Sequence, residues 1–70
     1  MKPDIKNHNP DPTYLRALLE QAGLSQRKAA HLLGISERMM RYYLVHTSDQ
    51  NYRPMPYTAQ FCLECLAKTD

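Results

Sequence analysis

No run of apolar residues in this 70-residue chain approaches the roughly 20 needed to cross a bilayer as a helix. The opening, MKPDIKNHNP, also lacks the apolar stretch of a secretory signal. The two cysteines, Cys62 and Cys65, are therefore expected to stay reduced thiols in a cytoplasm. Internal repeats and low-complexity segments are missing too. So are a phosphate loop, a Gly-x-Ser-x-Gly elbow and a close carboxylate pair on one helical face, and nothing points to an enzyme. Net charge is only +2, which decides little about partners. A core this small is usually marginal alone, so a metal, disulfides or a second subunit are the reinforcements to look for.

What is present is a pattern of short amphipathic helices. Residues 1–10 are polar, carry two prolines and have no periodicity, and read as a flexible arm ahead of a folded domain over 11–68. Lys2 and Lys6 would let such an arm reach a groove or phosphates; a frayed terminus is the plainer account. Asp11-Pro12 is a good helix start, with Asp as N-cap and Pro in the first turn. Tyr14, Leu15, Leu18, Leu19 and Ala22 then share one arc, Arg16 and Glu20 face outward, and Gly23 suits a left-handed C-cap.

Ser25 caps a second helix over about 26–33, ended by Gly34. Its apolar side is Ala29, Ala30, Leu32 and Leu33, with Arg27, Lys28 and His31 opposite. Ile35 plugs the turn and Ser36 caps a third helix. There Met39, Met40, Tyr43 and Leu44 share the packed side, while Glu37, Arg38, Arg41, Tyr42 and Val45 occupy an outer arc of roughly 140°. A polar connection over 46–55 leads to a last helix opened by Pro56. In it Phe61, Cys65, Cys62, Leu66, Ala59 and Leu63 cover roughly 200°, leaving Gln60, Glu64 and Lys68 for solvent. Packing on one side needs a stripe only somewhat over about 100° wide, so the excess implies a second contact, to another subunit, through Phe61, Cys62, Cys65 and Leu66. The expected fold is all-α: a compact domain of four or five helices containing a helix-turn-helix, acting as a homodimer.

Residues 25–45 hold four basic side chains, Arg27, Lys28, Arg38 and Arg41, against one acid, Glu37. That concentration is an electrostatic footprint for double-stranded DNA, and a helix with one packed side and one arginine-rich side has the form to lie in a major groove. Gln26 and the amides beginning the second helix are placed for a phosphate. Arg38 and Arg41 are the base-reading candidates, with Arg53 a weaker candidate for phosphate. Ser36 has two readings, contact with DNA or capping alone. Glu37 either accepts from a cytosine amino group or favours the helix start, and Tyr42 either meets DNA or is simply an exposed tyrosine.

Two competing readings stand beside this. Cys62 and Cys65 have the spacing of half a zinc site, with His8, His31 or His46 as further ligands. They lie inside an apolar helical pattern without a second ligand pair, so buried or interface thiols are the better account and no metal is expected. The other is a helical protein-binding adaptor that does not touch DNA, against which the basic face argues. No cofactor, small-molecule substrate or membrane partner is expected.

The segments DPTYLRALL, AGLSQRKAAHLLGISERMMRYYL and YRPMPYTAQFCLECLA resemble, over nearly everything after the arm, the helix-turn-helix proteins of the phage repressor and Cro group. More closely, they resemble the small anti-CRISPR-associated transcriptional repressors, to which MRYYL followed by YRP-P-YT-QF-LECLA is particular. That resemblance implies a homodimer on an inverted repeat in the promoter of an anti-CRISPR operon, restraining that operon and its own gene. The family's DNA-contacting basic positions map to Arg27, Lys28 and Arg38. The family pattern has arginine where this chain has Lys28, and lysine, a compact charge, favours a phosphate contact over a bidentate one.

Overall fold

The computed structural model describes residues 2–68, so Met1 of the expected arm lies outside them. The protein is all-α: four helices, α1 (Pro12–Ala22), α2 (Gln26–Leu33), α3 (Glu37–Leu44) and α4 (Tyr57–Ala67), preceded by a single 3-10 turn, Ile5–Asn7, with no strand among the described residues.

Local chemistry sets the first three helix starts. Asp11 accepts from the Thr13 amide at 2.9 Å, Ser25 Oγ from Lys28 N at 3.1 Å and Ser36 Oγ from Met39 N at 3.0 Å, each satisfying an amide that an isolated helix start leaves unpaired. Gly23 (φ 69°) and Gly34 (φ 71°) end α1 and α2 in the left-handed region that disfavours other residues. Beyond each glycine the chain folds back, Leu24 N donating to Leu19 O at 3.0 Å and Ile35 N to Ala30 O at 2.9 Å. Helix α4 starts at Tyr57, one residue later than the proline rule places it, with Pro56 as an N-cap that offers no side-chain acceptor.

α1 packs against α3 and α4, and α2 packs against the same two helices. The shared core is Leu15, Leu18, Leu19, Ala29, Ala30, Met40, Leu44, Met55 and Leu63. Ala29 and Ala30 are wholly buried, and their small side chains let α2 lie close to its neighbours. Two apolar side chains stay largely outside the core: Met39 sits on the rim at 37 % exposure beside the buried Met40, and Leu32 is 51 % exposed on α2, where the periodic pattern puts both on packed sides. Adjacent helical positions diverge by about 100°, and these short helices each bury a narrower stripe than their composition offers.

Two larger corrections concern the N-terminal segment and α4. The expected flexible arm lies along α4 as a strap. Asp4 N donates to Tyr57 Oη at 2.8 Å, His8 Nε2 to the Met55 carbonyl at 2.8 Å, Asn9 N to Gln60 Oε1 at 2.7 Å, and Gln60 Nε2 to the Asn7 carbonyl at 2.8 Å. Gln60 and Glu64, expected in solvent, are instead 0 % and 8 % exposed. The physical reason is that their partners arrive from far along the chain. Gln60 Nε2 also donates to Glu64 Oε2 at 3.0 Å, and the Tyr14 hydroxyl donates to the same carboxylate oxygen. Among the described residues no buried side-chain nitrogen or oxygen lacks a hydrogen-bond partner, the condition under which polar groups are tolerated inside. The Tyr14 phenol is pushed up to about 12 by its hydrogen bond to Glu64, then by burial, then by the carboxylate charge.

Candidate nucleic-acid interface

The basic face is built by two helix starts joined through one turn. α2, the turn at Gly34 to Ser36, and α3 follow one another as helix, tight turn and helix, consistent with the helix-turn-helix expected. Gln26, Arg27 and Lys28 occupy the first turn of α2, and all three are exposed. The Ser25 cap satisfies the Lys28 amide, while those of Gln26 and Arg27 belong to the set that a helix start leaves without intrahelical acceptors. On α3, Arg38 and Arg41 are exposed while Met40 and Leu44 are buried, and Tyr42 is half-buried.

Arg27 Nε lies 3.3 Å from Glu37 Oε1, linking the first turn of α2 to the first turn of α3. With the two side chains 82 % and 64 % exposed, this pair adds little stability. Its effect is local: Glu37 offsets part of the charge of Arg27, leaving Lys28, Arg38 and Arg41 to carry most of the positive field. Ser25, Arg27, Lys28, His31, Ile35, Ser36 and Glu37 line one open groove between the two helix starts. Arrays of this kind, with exposed amides, guanidinium groups and an ammonium on one surface, can hold phosphate oxygens and present arginine forks to base edges.

Ser36 does cap α3, and its hydroxyl accepts from Met39 N. Arg53 is placed differently from the other arginines. Its Nη1 donates to the Tyr52 carbonyl at 2.8 Å and towards that of Gln50 at 3.5 Å, so part of its guanidinium is occupied in closing its own loop. The connection over 46–55 is itself ordered by backbone turns, with Asp49 N on His46 O at 2.9 Å and Tyr52 N on Asp49 O at 3.0 Å, and is anchored by the buried Met55.

In comparisons with known proteins, no family model matches the chain and no curated protein matches it.

On the opposite side of α4 from Gln60, Cys62 is exposed and Phe61, Cys65 and Leu66 are half-buried. With Leu32 and Leu33 of α2 they line an apolar groove. Leu32 was not among the interface residues the sequence pointed to, although its place on α2's apolar side was the available signal. No three His, Cys, Asp or Glu side chains come together in a metal-holding group among the described residues, and no described helix is long and apolar enough to cross a membrane. One further residue escaped sequence reasoning altogether. Arg16, expected to point simply outward from α1, donates through Nη2 to the Leu44 carbonyl at the end of α3.

Proposed function

We propose that this protein is a sequence-specific, DNA-binding transcriptional repressor that acts as a homodimer on an inverted-repeat operator. The observation that carries the proposal is the exposed basic face of α2 and α3, with Arg27, Lys28, Arg38 and Arg41 displayed beside capped helix starts and a wholly buried Ala30 behind them. In this reading α2's first turn seats against phosphates through Gln26, Lys28 and backbone amides, and α3 enters the major groove. Arg38 and Arg41 read base edges, a bidentate arginine–guanine contact discriminating by about 1–3 kcal/mol. Two copies place their α3 helices roughly 10 bp apart, so a palindromic site mirrors the symmetry of the dimer. Operator occupancy then blocks RNA polymerase, in the cytoplasm of a bacterial host. The resemblance to anti-CRISPR-associated repressors supports an anti-CRISPR operon and the protein's own gene as targets.

The dimer is supported by the apolar groove of Leu32, Phe61, Cys62 and Leu66, which lies open at the surface of the described residues. The same groove favours a second reading, a helical adaptor for a foreign protein. A footprint on the DNA upstream of the protein's own operon, with the oligomeric state measured in parallel, separates the two. Protection of two half-sites by a dimer is the expected result. A monomer that protects no upstream segment discards the repressor in favour of the adaptor.

A further inference from the structure

The last four carbonyls of a helix have no intrahelical donor, and an eight-residue helix is too short to be stable alone. α1 and α2 meet the first problem locally, through Gly23 and Gly34. α3 has no such device, for its C-cap Val45 is extended (φ −74°, ψ 163°) and no residue but glycine takes a positive φ among the described residues. Its own C-cap serves one carbonyl, Val45 N donating to Arg41 O at 3.0 Å, and the rest of the end is held from outside: Arg53 N reaches back from the long connection to Tyr42 O at 3.1 Å, and Arg16 Nη2 donates to Leu44 O across 28 residues of sequence. Arg16 follows Leu15, which is wholly buried, so its backbone is anchored at the core. A guanidinium at a helix C-terminus is also favoured by the helix dipole.

We infer that Arg16 is a positioning residue for DNA recognition. From α1 it clamps the last turn of α3, fixing the angle at which Arg38 and Arg41 meet the bases, and it does not itself touch DNA. This rests on the DNA-binding reading above. A clamp and a phosphate contact differ in their signatures, because loss of a phosphate contact weakens binding to all sequences alike and flattens the salt dependence.

The test compares wild type, Arg16→Met and Arg16→Lys for binding to the footprinted operator and to a scrambled duplex across a salt series. Measurements are made at a temperature where circular dichroism shows each variant folded. Arg16→Met is expected to lose about ten-fold in preference for operator over scrambled DNA, as removal of a charge-assisted hydrogen bond allows, with the salt slope unchanged. Arg16→Lys, which keeps a donor and a charge, recovers part of that preference. An unchanged preference in Arg16→Met overturns the inference, and so does an equal loss on both duplexes with a salt slope smaller by about one. If Arg16→Met does not fold, Arg16→Lys serves alone, its expected result being a smaller loss of preference at constant slope. Amide hydrogen exchange of the Leu44 and Val45 amides gives a readout independent of DNA. It is expected to be several-fold faster in whichever variant folds, and an unchanged rate removes the clamp. A wild-type protein that protects no upstream DNA sinks the repressor reading, while the exchange rates still decide whether the clamp exists.

Discussion

α3 and α4 bury opposite kinds of side chain. α3 turns Met40 and Leu44 inward and leaves Arg38 and Arg41 in solvent, the ordinary arrangement of a surface helix. α4 turns Gln60 and Glu64 inward beside Leu63, and leaves Phe61, Cys62, Cys65 and Leu66 partly or wholly exposed. The comparison shows that an apolar arc locates a helix's inner face only when no other element competes to define it. For α4 the competitors are the strap and Tyr14, which bring a hydroxyl, an amide and a carbonyl to meet Gln60 and Glu64. The displaced apolar side then becomes the surface on which the proposed dimer depends.

The contrast can be broken most strongly at Gln60. Gln60→Ala leaves the Asn9 amide, the Asn7 carbonyl and one side of Glu64 without their partner, and is expected to destabilise the fold by about 2–4 kcal/mol in urea unfolding. A loss under about 0.5 kcal/mol, the range of ordinary surface changes, would show that the polar interior of α4 is incidental. On the outward side of α4, Phe61→Asp is expected to turn dimers into monomers by light scattering, with less effect on the unfolding of the single chain because the ring is only half-buried. Persistent dimers would move the interface elsewhere. On α3, Arg38→Ala is expected to cost about 1–3 kcal/mol of operator binding by gel shift, without shifting the unfolding midpoint. Unaffected binding would mean that the recognition face has been wrongly assigned. Lys28→Ala should weaken binding to every duplex similarly and lower the salt slope by about one, whereas a changed preference at one base pair would make Lys28 a base reader.

A pH-dependent effect is expected at Tyr14. Its folded pKa, raised to about 12 by Glu64 and burial, exceeds the ordinary phenol value of 10.0. The fold therefore favours the protonated phenol. That contribution is fully present below about pH 10 and is lost as pH rises through about 12. Tyr14→Phe should remove this component from the alkaline limb of the stability curve, and an unchanged limb would mean that the bond to Glu64 is not formed in solution.

Much of the proposed interface was legible in advance because it is local. Ser25, Gly34 and Ser36 act within a turn of their own position, and the alternation of Ala29, Ala30, Met40 and Leu44 with basic residues follows from helical periodicity alone. Arg16 was illegible for the opposite reason. No pattern around it distinguishes an outward arginine from one that reaches the end of another helix. Arg53 shows the same limit, since its donors go to carbonyls of a loop whose course no periodicity describes.

By itself, then, the sequence determined the helices, their caps, the glycine-ended turns and the segregation of basic from apolar residues over 25–45, because each of these depends on neighbours within about four positions. Tertiary structure alone decided which side of α4 faces inward, where residues 2–10 lie and what holds the end of α3. Those outcomes depend on hydrogen bonds between Asn9 and Gln60, Tyr14 and Glu64, and Arg16 and Leu44, across separations of 51, 50 and 28 residues. A buried polar group is stable only where its partner stands, and the partner's place exists only once the chain has folded.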